Sequence, residues 1–200
     1  GATGCGKTYT MLFLSRLMVL RDREAFNNPT IIIITDREDL DTQASELFVT
    51  AKKYLHEKDV RSIETRKDLS DTLNDKPSGG VYITTIQKFF PEDENKETYP
   101  LLSDRKNIIV IADEAHRSQY GMHGKVSKKG EISYGFAKYI RDALPNASFI
   151  GFTGTPIDLQ DKVTRNVFGE YISVYDIQQA IKDKATVPIY YESRIVDIRM

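Results

Sequence analysis

The chain has 200 residues, 40% of them hydrophobic and 28% charged, with 12 glycines and 7 prolines. That is enough for one domain with a full core, and it excludes a disordered tail, a collagen-like repeat and a disulfide scaffold. A single cysteine, Cys5, leaves no intrachain disulfide and no multi-cysteine zinc site, and a formal net charge of −1 gives no global field toward nucleic acid or membrane.

The longest apolar stretch, Met11 to Leu20, is broken by Ser15 and Arg16. It falls short of the roughly 18 uncharged residues of a membrane span, and no basic segment precedes it as in a secretion signal. No membrane contact and a reducing, cytoplasmic setting are expected. Because the chain opens inside a motif at Gly1, it reads as a piece of a longer protein, lacking the strand that leads into that motif.

Four β-branched runs follow in chain order: Thr30–Thr35, Val81–Thr85, Ile108–Ala112 and Ser148–Phe152. They are continuous rather than alternating, the pattern of strands covered on both faces. Between them, Leu40, Ala44, Leu47, Phe48, Ala51 and Leu55 recur at helical spacing, with Asp36 in place as an N-cap. Phe136, Ile140 and Leu144 repeat the pattern up to Pro145, and Ile177, Ala180 and Ile181 predict a last helix before Pro188. Alternating strands and helices imply an α/β fold, a parallel sheet flanked by helices, with ligands beyond the carboxyl ends of the strands. A domain over residues 1–186 is expected, with 187–200 an extended strand or linker leaving it. Pro91–Glu97 reads as an acidic surface loop.

Gly1-Ala2-Thr3-Gly4-Cys5-Gly6-Lys7-Thr8 fits G-x-x-x-x-G-K-[ST]. Glycines let the backbone curl so that successive N–H groups face phosphate oxygens, and the helix that starts near Lys7 adds its positive end. Lys7 would neutralise the β- and γ-phosphates, and the Thr8 hydroxyl would ligate Mg²⁺. A second motif supports the first: the apolar strand Ile108–Ala112 delivers Asp113 and Glu114 at its carboxyl end. Adjacent carboxylates there are costly without a cation, and a Mg²⁺ held by Asp113 and bridging the phosphates supplies one. Glu114 would then orient and deprotonate the attacking water. ATP with Mg²⁺ is the expected ligand pair.

Asp113-Glu114-Ala115-His116 resembles motif II of superfamily 2 helicases and translocases, Gly1 to Thr8 motif I, and Thr153-Gly154-Thr155-Pro156 motif III. Thr35-Asp36-Arg37 and Thr84-Thr85-Ile86-Gln87 occupy the places of the DNA-side motifs. Longer stretches (Asp113 to Gly121, Phe149 to Ile157, Val167 to Ile172, and Tyr175 to Arg194) resemble the motor, or R, subunit of type I restriction–modification enzymes. The resemblance implies the first RecA-like domain of a P-loop motor that moves double-stranded DNA by ATP hydrolysis, in complex with specificity and methylation subunits. It also implies that the parent's nuclease lies upstream, and that the arginine finger and second motor domain follow Met200.

In that frame His116 couples nucleotide state to motif III, and Thr153, Gly154 and Thr155 relay it toward DNA. Arg37, Thr84, Thr85 and Gln87 become donors to DNA phosphates, since a motor running along any sequence needs backbone contacts. Lys125, Lys128 and Lys129 read as a solvated loop, with DNA contact the lesser reading. His56 and His123 belong to no motif and read as solvated. The alternatives carried forward are another superfamily 2 helicase or translocase, a nucleotide-regulated assembly module without DNA contact, and a small-molecule P-loop kinase. Upstream sequence, salt-sensitive DNA binding, and His116 with Thr153–Pro156 respectively discriminate them.

Overall fold

The computed structural model describes residues 6–35, 38–89, 98–113, 125–126, 132–133, 136–154 and 168–187. Their frame is a five-stranded parallel sheet ordered β2-β3-β1-β4-β7. The strands are β1 (Thr30–Thr35), β2 (Val60–Ser62), β3 (Val81–Thr85), β4 (Ile108–Ala112) and β7 (Ser148–Gly151). A separate antiparallel pair joins β5 (Lys125–Val126) to β6 (Ile132–Ser133).

Four consecutive isoleucines make β1 stiff at χ1 and apolar on both pleats, which suits it to the centre of the sheet. Ile31 to Ile34 are all 0% exposed. β1 pairs with β3 through Ile31 to Val81 and with β4 through Ile31 to Ile109. Alternate side chains enter two cores. Ile32, Ile34, Tyr82, Ile108 and Val110 share one with helices α4 (Arg66–Asp75) and α5 (Phe136–Ala143). Ile31, Ile33, Val81, Ile83, Ile109 and Ile111 share the other with helices α1 (Lys7–Arg16), α2 (Glu38–Thr50) and α3 (Lys52–Leu55). The three-layer α/β sandwich expected from the alternation of runs is present.

The described parts of the connections divide between the two faces by their direction along the sheet, as crossovers of a single hand require. Those that move toward β7, through α4, through the 3₁₀ turn Ile86–Phe89 and through α5, pass over the first core. The one that moves toward β2, through α2 and α3, passes over the second.

Several elements depart from the sequence expectation. The fourth run forms a strand only to Gly151, and β7 is half-buried to exposed rather than covered on both faces. Among the described residues β7 pairs with β4 alone, so it lies at an edge. The long helical run divides at Ala51 into α2 and α3, and exposed His56, at φ 54°, closes the second piece. The strand β2 and helix α4 were not anticipated. α4 is set by Thr65, whose hydroxyl accepts the Asp68 N–H at 3.0 Å. The last expected helix is α6 (Ile177–Lys182), capped by Asp176 accepting the Gln179 N–H at 2.8 Å. Of the expected tail strand, residues 188–200 lie outside the described ones, as do the Asp36 cap and the acidic loop after Phe90.

Candidate nucleotide site

Because all five strands run parallel, their carboxyl ends share one edge of the sheet. The ladder continues one residue past β4 and β7: the Asp113 N–H donates to the Ile34 carbonyl, and the Phe152 N–H to the Ala112 carbonyl, each at 2.8 Å. Every residue of β4 is buried, and half-buried Asp113 is the first to emerge. Ile109 and Ile111 belong to the core beneath α1. The two-residue period of the strand therefore carries Asp113 to the side of the sheet that α1 covers. Thr153 and Gly154 follow β7 at the same edge, both half-buried.

Helix α1 reaches this edge from the other direction. Its N-cap, Gly6, is left-handed at φ 81°, ψ 28°. An added Cβ would meet nothing within 4 Å, so the backbone angle alone asks for glycine here. Lys7 is the first helical residue, and Lys7 and Thr8 are both half-buried. The first turn holds no acidic side chain, so the helix's positive end is not compensated by its own carboxylates. The helix runs on through a π-helical turn, Leu17–Arg21, toward the amino ends of the strands. There Asn28 accepts the Gly79 N–H and the Thr30 N–H donates to Asn107. Fifteen residues at about 1.5 Å each match the ~20 Å of a six-residue strand, so α1 begins over the carboxyl edge. Met11 and Leu12 lock it there, in one core with Ile109, Ile111, Ile150 and Phe152.

The fold thus gathers Gly6, Lys7, Thr8, Asp113, Thr153 and Gly154 at one edge. A Mg²⁺–triphosphate suits this donor set: Mg²⁺ keeps most of its shell as water and phosphate and asks the protein for one or two oxygens. Asp113 and Thr8 carry oxygens that would suit it, Lys7 and the helix start would face the anion, and among the described residues no cluster of three or more His, Cys, Asp or Glu forms a metal site. Gly1, Ala2, Thr3, Gly4, Cys5, Glu114, His116 and Thr155 lie outside the described residues.

The proposed DNA-side residues divide. Arg37 lies outside the described residues. Thr84 and Thr85 are 0% and 3% exposed, so they do not reach the surface to touch a phosphate. The reason is topological: β3 is an interior strand between β2 and β1, covered on both faces. Both hydroxyls are buried with no hydrogen-bond partner. Gln87 does face outward, because the 3₁₀ turn Ile86–Phe89 rotates it into solvent while sinking Phe89 (0% exposed) into the core. That turn escaped sequence reasoning, although an apolar residue three positions after Ile86 was a signal for it. Of the lysine loop, Lys125 lies in β5, and Lys128 and Lys129 are outside the described residues. No described helix is long and apolar enough to cross a membrane.

Comparison with known proteins gives this edge a context. The chain is 48% identical over 189 residues to the type I restriction enzyme HindI endonuclease subunit of Haemophilus influenzae, an alignment covering 94% of this chain and 17% of that protein. It is 33% identical over 189 residues to the SauCOLORF180P endonuclease subunit of Staphylococcus aureus, covering 90% of this chain and 18% of that one. The chain therefore spans under a fifth of the length of these relatives. The Hef helicase domain of Pyrococcus furiosus superimposes with a TM-score of 0.48 and 19% identity over 84% of this chain and 32% of that one. The SWI2/SNF2 ATPase family matches residues 1–200, every position of the sequence. That match covers the parallel sheet and both of its helical layers, and the chain belongs to the SWI2/SNF2 ATPase family.

Proposed function

We propose that the chain is the ATP-hydrolysing motor domain of a type I restriction enzyme R subunit, and that the full protein moves double-stranded DNA past itself. The observations that carry this reading are the left-handed Gly6 leading into Lys7 at the start of α1, and Asp113 following β4, whose Ile109 and Ile111 share a core with α1.

The backbone N–H groups of the Gly1–Thr8 loop and the Lys7 ammonium hold the phosphates, while Thr8 and Asp113 hold Mg²⁺. When bound, Mg²⁺ supplies charge neutralisation across the phosphate oxygens. Glu114 takes the proton of the attacking water. His116, Thr153, Gly154 and Thr155 carry the state of the site to the DNA groove, where Arg37 and Gln87 donate to backbone phosphates. Specificity and methylation subunits choose the DNA site, and the nuclease belongs to another part of the R subunit. The domain occupies residues 1–186, 187–200 lead out of it, and the setting is the cytoplasm.

The test is Lys7→Ala and Asp113→Ala in the full-length protein. Each is expected to lower DNA-stimulated ATP hydrolysis by about 10²–10³-fold while leaving salt-sensitive DNA binding in place. Wild-type hydrolysis by either variant overturns the reading.

A further inference from the structure

Helix α1 and its π-helical extension are apolar almost all the way round. Met11, Leu12, Met18 and Val19 face the core, but Tyr9, Phe13, Leu17 and Leu20 are 56%, 51%, 39% and 44% exposed on the other side. A helix of that character normally has something against its outer face. The outer side chains at the start of the helix form a ladder. The Tyr9 and Phe13 rings lie 6.5 Å apart at 39°, and Phe13 meets Tyr54 edge-on at 6.1 Å. The Arg16 guanidinium covers the Tyr54 ring at 4.1 Å and also donates to the Tyr54 carbonyl. The lower rungs are thereby clamped between α1 and α3. The uppermost, Tyr9, is the most exposed of the ladder and stands in the first turn, two residues after Lys7.

We propose that Tyr9 is the base platform of the nucleotide site, stacking on the purine of the nucleoside triphosphate whose phosphates lie at Gly6–Thr8. This rests on the nucleotide reading above and adds to it the residue that meets the base. Helical side chains lean toward the N-terminus, so a residue in the first turn covers the surface beside the helix start rather than the surface below it. Phe13 backs the Tyr9 ring on the side away from the helix start and leaves the ring accessible, the arrangement of a pre-organised stacking surface. The first turn carries no carboxylate to repel the polyphosphate. An aromatic ring reads a π-face and not an edge pattern, so the platform accepts adenine and guanine alike.

The experiment measures equilibrium binding of Mg-ATP, Mg-GTP and inorganic triphosphate to the full-length protein as wild type, Tyr9→Ala and Tyr9→Phe. Loss of one stacked ring is expected to weaken ATP and GTP binding roughly tenfold in Tyr9→Ala, with Tyr9→Phe close to wild type. Inorganic triphosphate, which has no base, is expected to bind all three equally. Unchanged ATP affinity in Tyr9→Ala overturns the proposal and leaves the ladder as a docking surface for another part of the assembly. Equal losses for ATP and inorganic triphosphate also overturn it, because they report a damaged phosphate loop. If the wild type binds neither ATP nor inorganic triphosphate, the nucleotide reading itself fails, and the proposal with it.

Discussion

The two ends of the sheet treat their polar groups in opposite ways. At the amino end side chains fasten one strand to the next. Thr30, 1% exposed, donates to the Gly79 carbonyl at 2.9 Å and accepts from Arg105 at 3.2 Å. Asn107 donates to the carbonyls of Asn27 and Pro77, each at 3.2 Å, and Asn28 donates to Ser78 at 2.8 Å. Nearby, Tyr82 donates to Asp59 at 2.6 Å and Lys76 pairs with the same carboxylate, while further along β2 Arg61 bridges to Asp68 at 2.9 Å. One Arg105 nitrogen is the exception, buried without a partner. At the carboxyl end the Thr84 and Thr85 hydroxyls are buried and unpaired in a strand otherwise made of apolar residues and one tyrosine. The Thr35 hydroxyl donates to the Thr84 carbonyl at 3.4 Å, a single strand-to-strand link beside two hydroxyls that add nothing to the stability of the fold.

The strongest way to break this contrast is at Gly80. It sits at φ 91°, and an added Cβ would lie 2.3 Å from the Tyr82 hydroxyl oxygen. Gly80→Ala therefore combines a disfavoured backbone angle with displacement of the Tyr82 ring. A loss of about 3 kcal/mol is expected in denaturant unfolding, and a change below about 0.5 kcal/mol refutes it. Thr30→Val comes next, stripping Arg105 and Gly79 of a partner at about 1–3 kcal/mol.

Acid sharpens the comparison without mutation. Burial opposes the charge on Asp59, but hydrogen bonds from Lys76 and Tyr82 and the charges of Lys76 and Arg61 outweigh it and hold the carboxyl below its usual range. The Arg61 hydrogen bond does the same for Asp68. Both folded values lie below the unfolded ones. Their stabilisation is complete above about pH 4 and declines as pH falls further, whereas the Thr84 and Thr85 hydroxyls carry no charge to titrate in that range. Tyr82 is shifted the other way, raised first by burial and then by Asp59, so its contribution declines above about pH 10. A melting temperature that stays flat from about pH 5 to pH 2 contradicts this reading of the amino end.

The smallest expected effect is the most telling. Thr84→Val and Thr85→Val remove hydroxyls that have no partner, so stability is expected to hold or rise by up to about 1 kcal/mol. The same Thr→Val exchange thus carries opposite signs at the two ends of the sheet. A loss of more than about 1 kcal/mol at Thr84 would mean that its hydroxyl has a partner after all.

The chain declares much of this in local patterns. β1, β3 and β4 are legible because uninterrupted β-branched runs have few other stable fates, and the helix start at Lys7 is legible because glycine and lysine at fixed spacing have a mechanical meaning. β2 is not, since Val60-Arg61-Ser62 is short and two-thirds polar, and only its pairing with β3 makes it a strand. α4 was readable from Thr65 and Asp68, a capping pair three residues apart. The burial of Thr84 and Thr85 was hidden, because a strand-end threonine looks alike in an edge strand and an interior one until the strand order is known. The fastening of Asp59 to Lys76 and Tyr82 is out of reach of any local pattern, spanning 17 and 23 residues of chain.

The position of β7 has a practical consequence. Ser148–Gly151 is short, uncharged and half-exposed, and among the described residues only β4 bonds to it. An edge of that kind accepts a further strand, so an extended segment of the same protein or of a partner can continue the sheet from β7.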